Sequence, residues 1–154
     1  MLINIFNISK EEKTKYIAEK ISNICNKGDV IALSGRLGIG KTTFAKHFIK
    51  KASKVGQVPS PSYNLLLSYK TNNTMIHHMD AWRLKNVEEA ISLGITEMYE
   101  NSIFIIEWAE KIKKILPPDC LQLQIFEENS KKKISLEGNS NWKKRLEPLF
   151  LNEK

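Results

Sequence analysis

Residues 35–43 read Gly-Arg-Leu-Gly-Ile-Gly-Lys-Thr-Thr, and no other stretch limits the possible folds so tightly. Gly35, four residues, then Gly40-Lys41-Thr42 is the P-loop pattern, whose parts each have a task toward a triphosphate. Glycines at 35, 38 and 40 permit positive φ and let backbone N–H groups approach phosphate oxygens. Lys41 is suited to the β- and γ-phosphates, the Thr42 hydroxyl to Mg²⁺, and Ile39 and Thr43 complete the turn. The motif also needs a strand before it and a helix after it. Val30-Ile31-Ala32-Leu33 supplies a short buried strand, and Phe44, Ala45, Phe48, Ile49 and Ala52 supply an apolar stripe at helical spacing. The expected fold is therefore α/β: a P-loop NTPase three-layer sandwich forming a single domain over residues 1–154.

The rest of the chain adds strands of both directions. Residues 2–8 alternate loosely and predict a first strand. Ser9-Lys10-Glu11-Glu12 reads as a capping box, opening a helix through Ile17, Ala18, Ile21, Ile24 and Cys25 that stops near Gly28. Pro59 and Pro61 impose an extended path. Residues 64–69 and 74–79 then read as two strands joined by a hairpin turn at 70–73. That hairpin makes the expected sheet mixed, though mainly parallel. Asn86 and Glu89 cap a short helix from Val87 to Leu93, which Gly94 ends. Ser102-Ile103-Phe104-Ile105-Ile106 predicts a central buried strand. Leu121, Leu123 and Ile125 alternate with polar residues as a strand with one buried face. A turn at Lys131-Lys132-Lys133, a last strand at 134–136, and a helix burying Trp142, Leu146 and Leu149 complete the pattern.

Two acids stand where strands end. Glu107 directly follows the most apolar run, which is the Walker B placement of a carboxylate that holds Mg²⁺ across from the P-loop hydroxyl. A structural acid, paired locally, is the simpler alternative. Asp80 closes the hairpin, either as a group handling the metal or the attacking water, or as a turn cap paired with Arg83. Ser9, beyond its capping role, is a candidate contact to a nucleotide base. Lys132, in a lysine turn that is otherwise a solvated edge, is another.

Composition excludes more than it selects. No apolar run is long enough to cross a bilayer, and the first residues carry acids and lysines rather than a signal peptide. Cys25 and Cys120 are far apart and form no zinc pattern with His47, His77 or His78, which suits a reducing, cytoplasmic setting. The net charge of +7 comes from 24 basic residues, of which only Arg36, Arg83 and Arg145 are arginine. Phosphate-reading surfaces favour arginine, so the charge is weak support for direct nucleic-acid contact.

Beyond the P-loop, the segments Ser60-Pro61-Ser62-Tyr63, His78-Met79-Asp80-Ala81-Trp82-Arg83-Leu84, Gly94-Ile95 and Ile105-Ile106-Glu107-Trp108-Ala109-Glu110 occur in an order that resembles the TsaE family, formerly called YjeE. The resemblance spans roughly residues 9–126. It implies ATP/ADP and Mg²⁺ as cofactors and a catalytic set of Lys41, Asp80 and Glu107. Metal contacts through Thr42 and Glu107, and Trp108 beside the nucleotide, follow from the same likeness. Ser62 falls in a segment that resembles a switch near the γ-phosphate. The family works with a TsaB–TsaD heterodimer, in which TsaD transfers threonylcarbamoyl to tRNA, so tRNA contact is implied only through that complex, and a monomer is expected in isolation. Three positions depart from the family pattern: Arg36 replaces a common acid, Ile39 a small residue, and Ala109 a proline.

Three functions fit these residues. The first is a small ATPase that couples hydrolysis to turnover of the tRNA-modifying complex. The second is a nucleoside or small-molecule kinase, disfavoured because such enzymes clamp two phosphorylated substrates with several arginines. The third is a nucleotide-switched binding module with negligible turnover.

Overall fold

The computed structural model describes residues 1–53, 55, 56, 58 and 65–153. Pro59, the Ser60–Tyr63 segment and Asn64 lie outside the described residues. Seven strands form one sheet: β1 (Leu2–Asn7), β2 (Val30–Ser34), β3 (Leu66–Lys70), β4 (Met75–Asp80), β5 (Ile103–Glu107), β6 (Leu121–Glu128) and β7 (Lys131–Glu137). Their spatial order is β1-β7-β6-β2-β5-β4-β3. The four inner strands β6, β2, β5 and β4 run parallel, while β7, β1 and β3 add antiparallel edges. This is the mixed, mainly parallel sheet with an antiparallel hairpin that the sequence predicts.

Helices cover both faces, which is why the central strands read as unbroken apolar runs. Ile31, Leu33, Ile103 and Ile105 point to one core, shared with α1 (Glu11–Ile24), α2 (Lys41–Ser53) and α5 (Ser140–Leu146). Val30, Ala32, Phe104 and Ile106 point to the other, beneath α3 (Val87–Ser92), α4 (Ile95–Met98) and the 3₁₀ turns of residues 109–115. The alternation follows from the two-residue period of a strand. Ile17, Ala18 and Ile21 of α1 and Phe44, Ala45, Phe48 and Ile49 of α2 are buried as their spacing requires. Asn86 caps α3 by accepting a hydrogen bond from the Glu89 N–H at 3.0 Å, and Gly94 ends that turn with φ +79°.

Two local expectations are corrected. Ser9 does not cap α1: Lys10 occupies the N-cap position without a side-chain bond, and the Ser9 hydroxyl instead accepts the Lys132 N–H at 3.2 Å. That tertiary bond, beside Ile8 N–H to Lys132 O at 2.8 Å, continues the β1–β7 ladder and outcompetes the local cap. The lysine run is not a turn. Asn129 and Ser130 make the turn, with φ +52° and +61°, and Lys131–Lys133 are already paired in β7.

Candidate functional site

The glycine loop leaves the end of β2 and feeds α2, so its backbone lies at the C-terminal ends of the parallel strands, where ligands of open α/β sheets bind. Gly35 is held at φ +144° against β6, and a Cβ there would meet the Ile125 carbonyl oxygen at 2.6 Å and Ile39 Cγ2 at 2.9 Å. Gly38 and Gly40, at φ +74° and +123°, have no such crowding. The Ile39 side chain turns into the α1–α2 core, which leaves its backbone as the part available to a ligand. Lys41 begins α2 and folds back over the loop, donating to the carbonyl oxygens of Gly35 at 2.5 Å and Arg36 at 2.9 Å. Its ammonium also lies 3.9 Å from the centre of the Trp108 ring. Burial pushes the Lys41 ammonium below the ordinary lysine range, against the pull of Glu110, Glu107 and Asp80.

Glu107 ends β5 and is buried, at 3% exposure. Its two oxygens are divided: Oε1 accepts from the Thr42 hydroxyl, and Oε2 lies 2.6 Å from His78 Nε2. Asp80 is its register partner on β4. Burial raises the Asp80 carboxyl above its usual range, partly opposed by the Trp82 N–H that donates to Oδ1 at 3.0 Å and reinforced by the Glu107 charge. The turn-capping and site-lining roles of Asp80 are thus compatible: it does both. Lys41, Thr42, Thr43, Asp80, Glu107 and Trp108 line one cleft of about 260 Å³.

Across the loop a second hollow of about 160 Å³ gathers Ser9, Ile39, Gly40, Thr43 and Lys132. It shares Gly40 and Thr43 with the first cleft, so the loop forms the wall between them. The structure therefore brings every described candidate residue to one of these two clefts, or, for Gly35, to the base of the loop.

Some of the surroundings escaped the sequence reading. His78 reaches Glu107, and only its place two residues before Asp80, on the same strand face, could have signalled it. Trp82 and Trp108 stack with ring centres 4.4 Å apart, and Lys111 caps the pair by donating to Trp82 O at 2.9 Å. Trp108 adopts φ +57°, unusual for a bulky side chain. The departing residue Arg36 turns away from the loop toward Glu127, 3.1 Å distant on β6.

One mixed sheet between two helical layers, with a glycine loop joining a buried parallel strand to a helix and an acid at the end of the adjacent strand, defines the P-loop NTPase fold. A sequence model of the family "Threonylcarbamoyl adenosine biosynthesis protein TsaE" matches residues 8–135. The chain belongs to the TsaE family. A Rickettsia felis protein described as tRNA threonylcarbamoyladenosine biosynthesis protein TsaE is 37% identical over 137 residues, covering 87% of this chain and 80% of its own. The Bacillus subtilis protein of the same description is 35% identical over 115 residues, covering 74% and 72%. The fold matches the crystal structure of Bacillus subtilis YdiB with a TM-score of 0.79 at 24% identity, covering 100% of this chain and 99% of that one.

Proposed function

We propose that this chain is an ATPase that hydrolyses ATP to drive turnover of a TsaB–TsaD complex during threonylcarbamoyladenosine formation in tRNA. One observation carries the reading: Glu107 at the end of β5 is hydrogen-bonded to Thr42 at the start of α2. That bond joins the strand-end acid to the phosphate loop, which is what a shared metal demands. Thr42 and Glu107 offer two hard oxygen donors, and Mg²⁺ prefers to keep waters and phosphate oxygens as its remaining ligands. When bound, the ion would neutralise phosphate charge as the terminal phosphoryl group departs.

The chain's own residues do the positioning. The loop N–H groups and the N-terminus of α2 hold the phosphates, with Lys41 as the nearest cation. Asp80, fixed by Trp82 N–H and raised by burial, orients the attacking water and takes its proton. The hollow beside Ser9 and Lys132 receives the base. A kinase reading lacks its arginines: Arg83 lines the cleft, whereas Arg36 lies toward Glu127 and Arg145 toward Asp29.

Leu37 and Trp82, both exposed beside the cleft, offer the partner complex an apolar contact next to the nucleotide. Free Cys25 and Cys120 suit the cytoplasm, and no helix of the described residues is long and apolar enough to cross a membrane. Phosphate release is expected to be slow for the isolated chain and to rise at least several-fold with TsaB–TsaD. A rate unmoved by the partners, with nucleotide still controlling binding, would instead mark a switch module. Deleting the gene should also remove the modified nucleoside from tRNA by mass spectrometry. Normal levels without a redundant gene would overturn the proposal.

A further inference from the structure

His78 is wholly buried on β4, on the strand face that also carries Ile76 and Asp80. Its register partner on β5 is Ile105, one step inside the sheet from Asp80 and Glu107. An apolar side chain would fill that place at less cost than an imidazole, which loses its hydration when buried. The ring nevertheless has a single polar contact among the described residues, Nε2 to Glu107 Oε2 at 2.6 Å, while Nδ1 has no hydrogen-bond partner. The proton must therefore sit on Nε2. A proton on Nδ1 alone would set a lone pair against a carboxylate oxygen and orphan a buried donor, whereas an unpaired acceptor is tolerated more readily.

We propose that His78 is a positioning residue that holds the Glu107 carboxylate, through Nε2–H to Oε2, so that Oε1 faces the Thr42 hydroxyl. This rests on the reading of Glu107 as the metal-side acid. The physical need comes from side-chain length. Glutamate has one more rotatable bond than the aspartate commonly found at a strand end of this kind, so a fixed carboxylate requires a second anchor. Thr42 holds one oxygen and His78 the other, and the plane of the carboxylate is then determined. Outer partners of this type fix the orientation of a metal-binding group without touching the metal.

The test uses His78→Leu, which removes the donor, His78→Gln, whose amide N–H can occupy the place of Nε2–H, and His78→Asn, whose amide is too short. Binding of a fluorescent ATP derivative is measured without metal and across a Mg²⁺ titration, with thermal melts to establish folding. Leu and Asn are expected to leave metal-free affinity within about twofold while raising the Mg²⁺ concentration for half-effect by about tenfold or more. Gln is expected to recover most of that loss. If Leu does not fold, the Gln–Asn comparison decides.

Glu107→Gln serves as the reference. If it shifts the Mg²⁺ dependence and the Leu or Asn variant does not, or if Gln is as defective as Asn, His78 is only a core residue and the inference falls alone. If Glu107→Gln leaves the Mg²⁺ dependence unchanged, the metal-side reading of Glu107 falls and takes the inference with it. With His78 acting through Glu107, adding His78→Asn to Glu107→Gln produces no further shift.

Discussion

Asp80 and Glu107 are register partners on adjacent parallel strands, both more than nine-tenths buried and both facing the start of α2. Burial raises the Asp80 carboxyl above its ordinary range, and the Glu107 charge beside it adds to that rise. An acid with a raised folded pKa binds its proton more tightly in the folded chain. Stability therefore declines as pH rises from the unfolded carboxylate range through the folded value. Asp80→Asn keeps an oxygen for the Trp82 N–H and removes the charge. It is expected to raise Tm at neutral pH by about 2–4 °C, the shift given by roughly 1 kcal/mol in a chain of this size. The gain should shrink as pH falls and vanish below about pH 3, where the aspartate is protonated in both states. ATP hydrolysis should fall in the same variant while nucleotide binding survives. Thermal melts across pH, beside phosphate-release assays, check both halves.

Lys41 presents a different balance, because its ammonium holds the loop as well as facing the cleft. Lys41→Ala removes hydrogen bonds to the Gly35 and Arg36 carbonyls together with the nearest cation. Hydrogen bonds to a charged group contribute about 1.5–3 kcal/mol, so triphosphate affinity should drop by roughly 10- to 100-fold. Hydrolysis should be abolished. Calorimetric titration with ATP measures the affinity; a loss below twofold would remove Lys41 from the phosphate site.

The loop glycines separate into a packing glycine and a purely conformational one. Gly35→Ala places a Cβ 2.6 Å from a backbone oxygen of β6, which cannot retreat without moving the sheet. A loss of about 2–4 kcal/mol in unfolding free energy is expected. Gly38→Ala meets no atom within 4 Å and suffers only its φ of +74°, a penalty of about 1–2 kcal/mol. Denaturant melts should rank the two in that order.

Much of this arrangement was legible in the chain itself. Residues 30–49 announce strand, loop and helix because burial on both faces leaves a continuous apolar run and α2 leaves a stripe. Glu107 was visible for the same reason, as the first charge after the most apolar segment. What failed was local reading overruled by distant contacts. Ser9 and Glu12 have capping-box spacing, yet the Ser9 hydroxyl is claimed by Lys132, 123 positions away. The β6–β7 turn carries no glycine or proline. Asn129 and Ser130 adopt left-handed φ, and the neighbouring lysines drew attention from them. His78 was visible as the first residue of the segment His78–Leu84, but its contact with Glu107 was not, because that depends on β4 lying beside β5, a pairing that no local pattern encodes.

Arg36 is expected to matter little despite its reversed charge, because its side chain points away from the loop. The loop uses the Arg36 carbonyl, which any residue supplies, while the guanidinium meets Glu127 with both side chains more than half exposed. Arg36→Ala should change stability by less than about 1 kcal/mol. Its effect on ATP affinity should stay within about twofold. A larger loss of affinity, measured by the same calorimetric titration, would mean that the guanidinium reaches the phosphates when nucleotide is present.

The aromatic pair beside the loop supplies a reporter. Lys41, Trp108, Trp82 and Lys111 form a column, cation on ring on ring on cation, with Lys41 3.9 Å from the Trp108 centre and Lys111 4.9 Å from that of Trp82. A triphosphate competes with the Trp108 ring for the same ammonium, and the competition favours the phosphate because a full negative charge outweighs a ring quadrupole. Nucleotide should therefore alter tryptophan fluorescence, and the change should arise in this column. Trp142 is remote from it, buried and donating to the Asp119 carbonyl at 2.7 Å. Trp108→Phe is expected to remove at least half of the nucleotide-induced signal, and the Trp82→Phe, Trp108→Phe double variant nearly all of it. A signal retained in the double variant would place its origin at Trp142 and remove this column as the reporter.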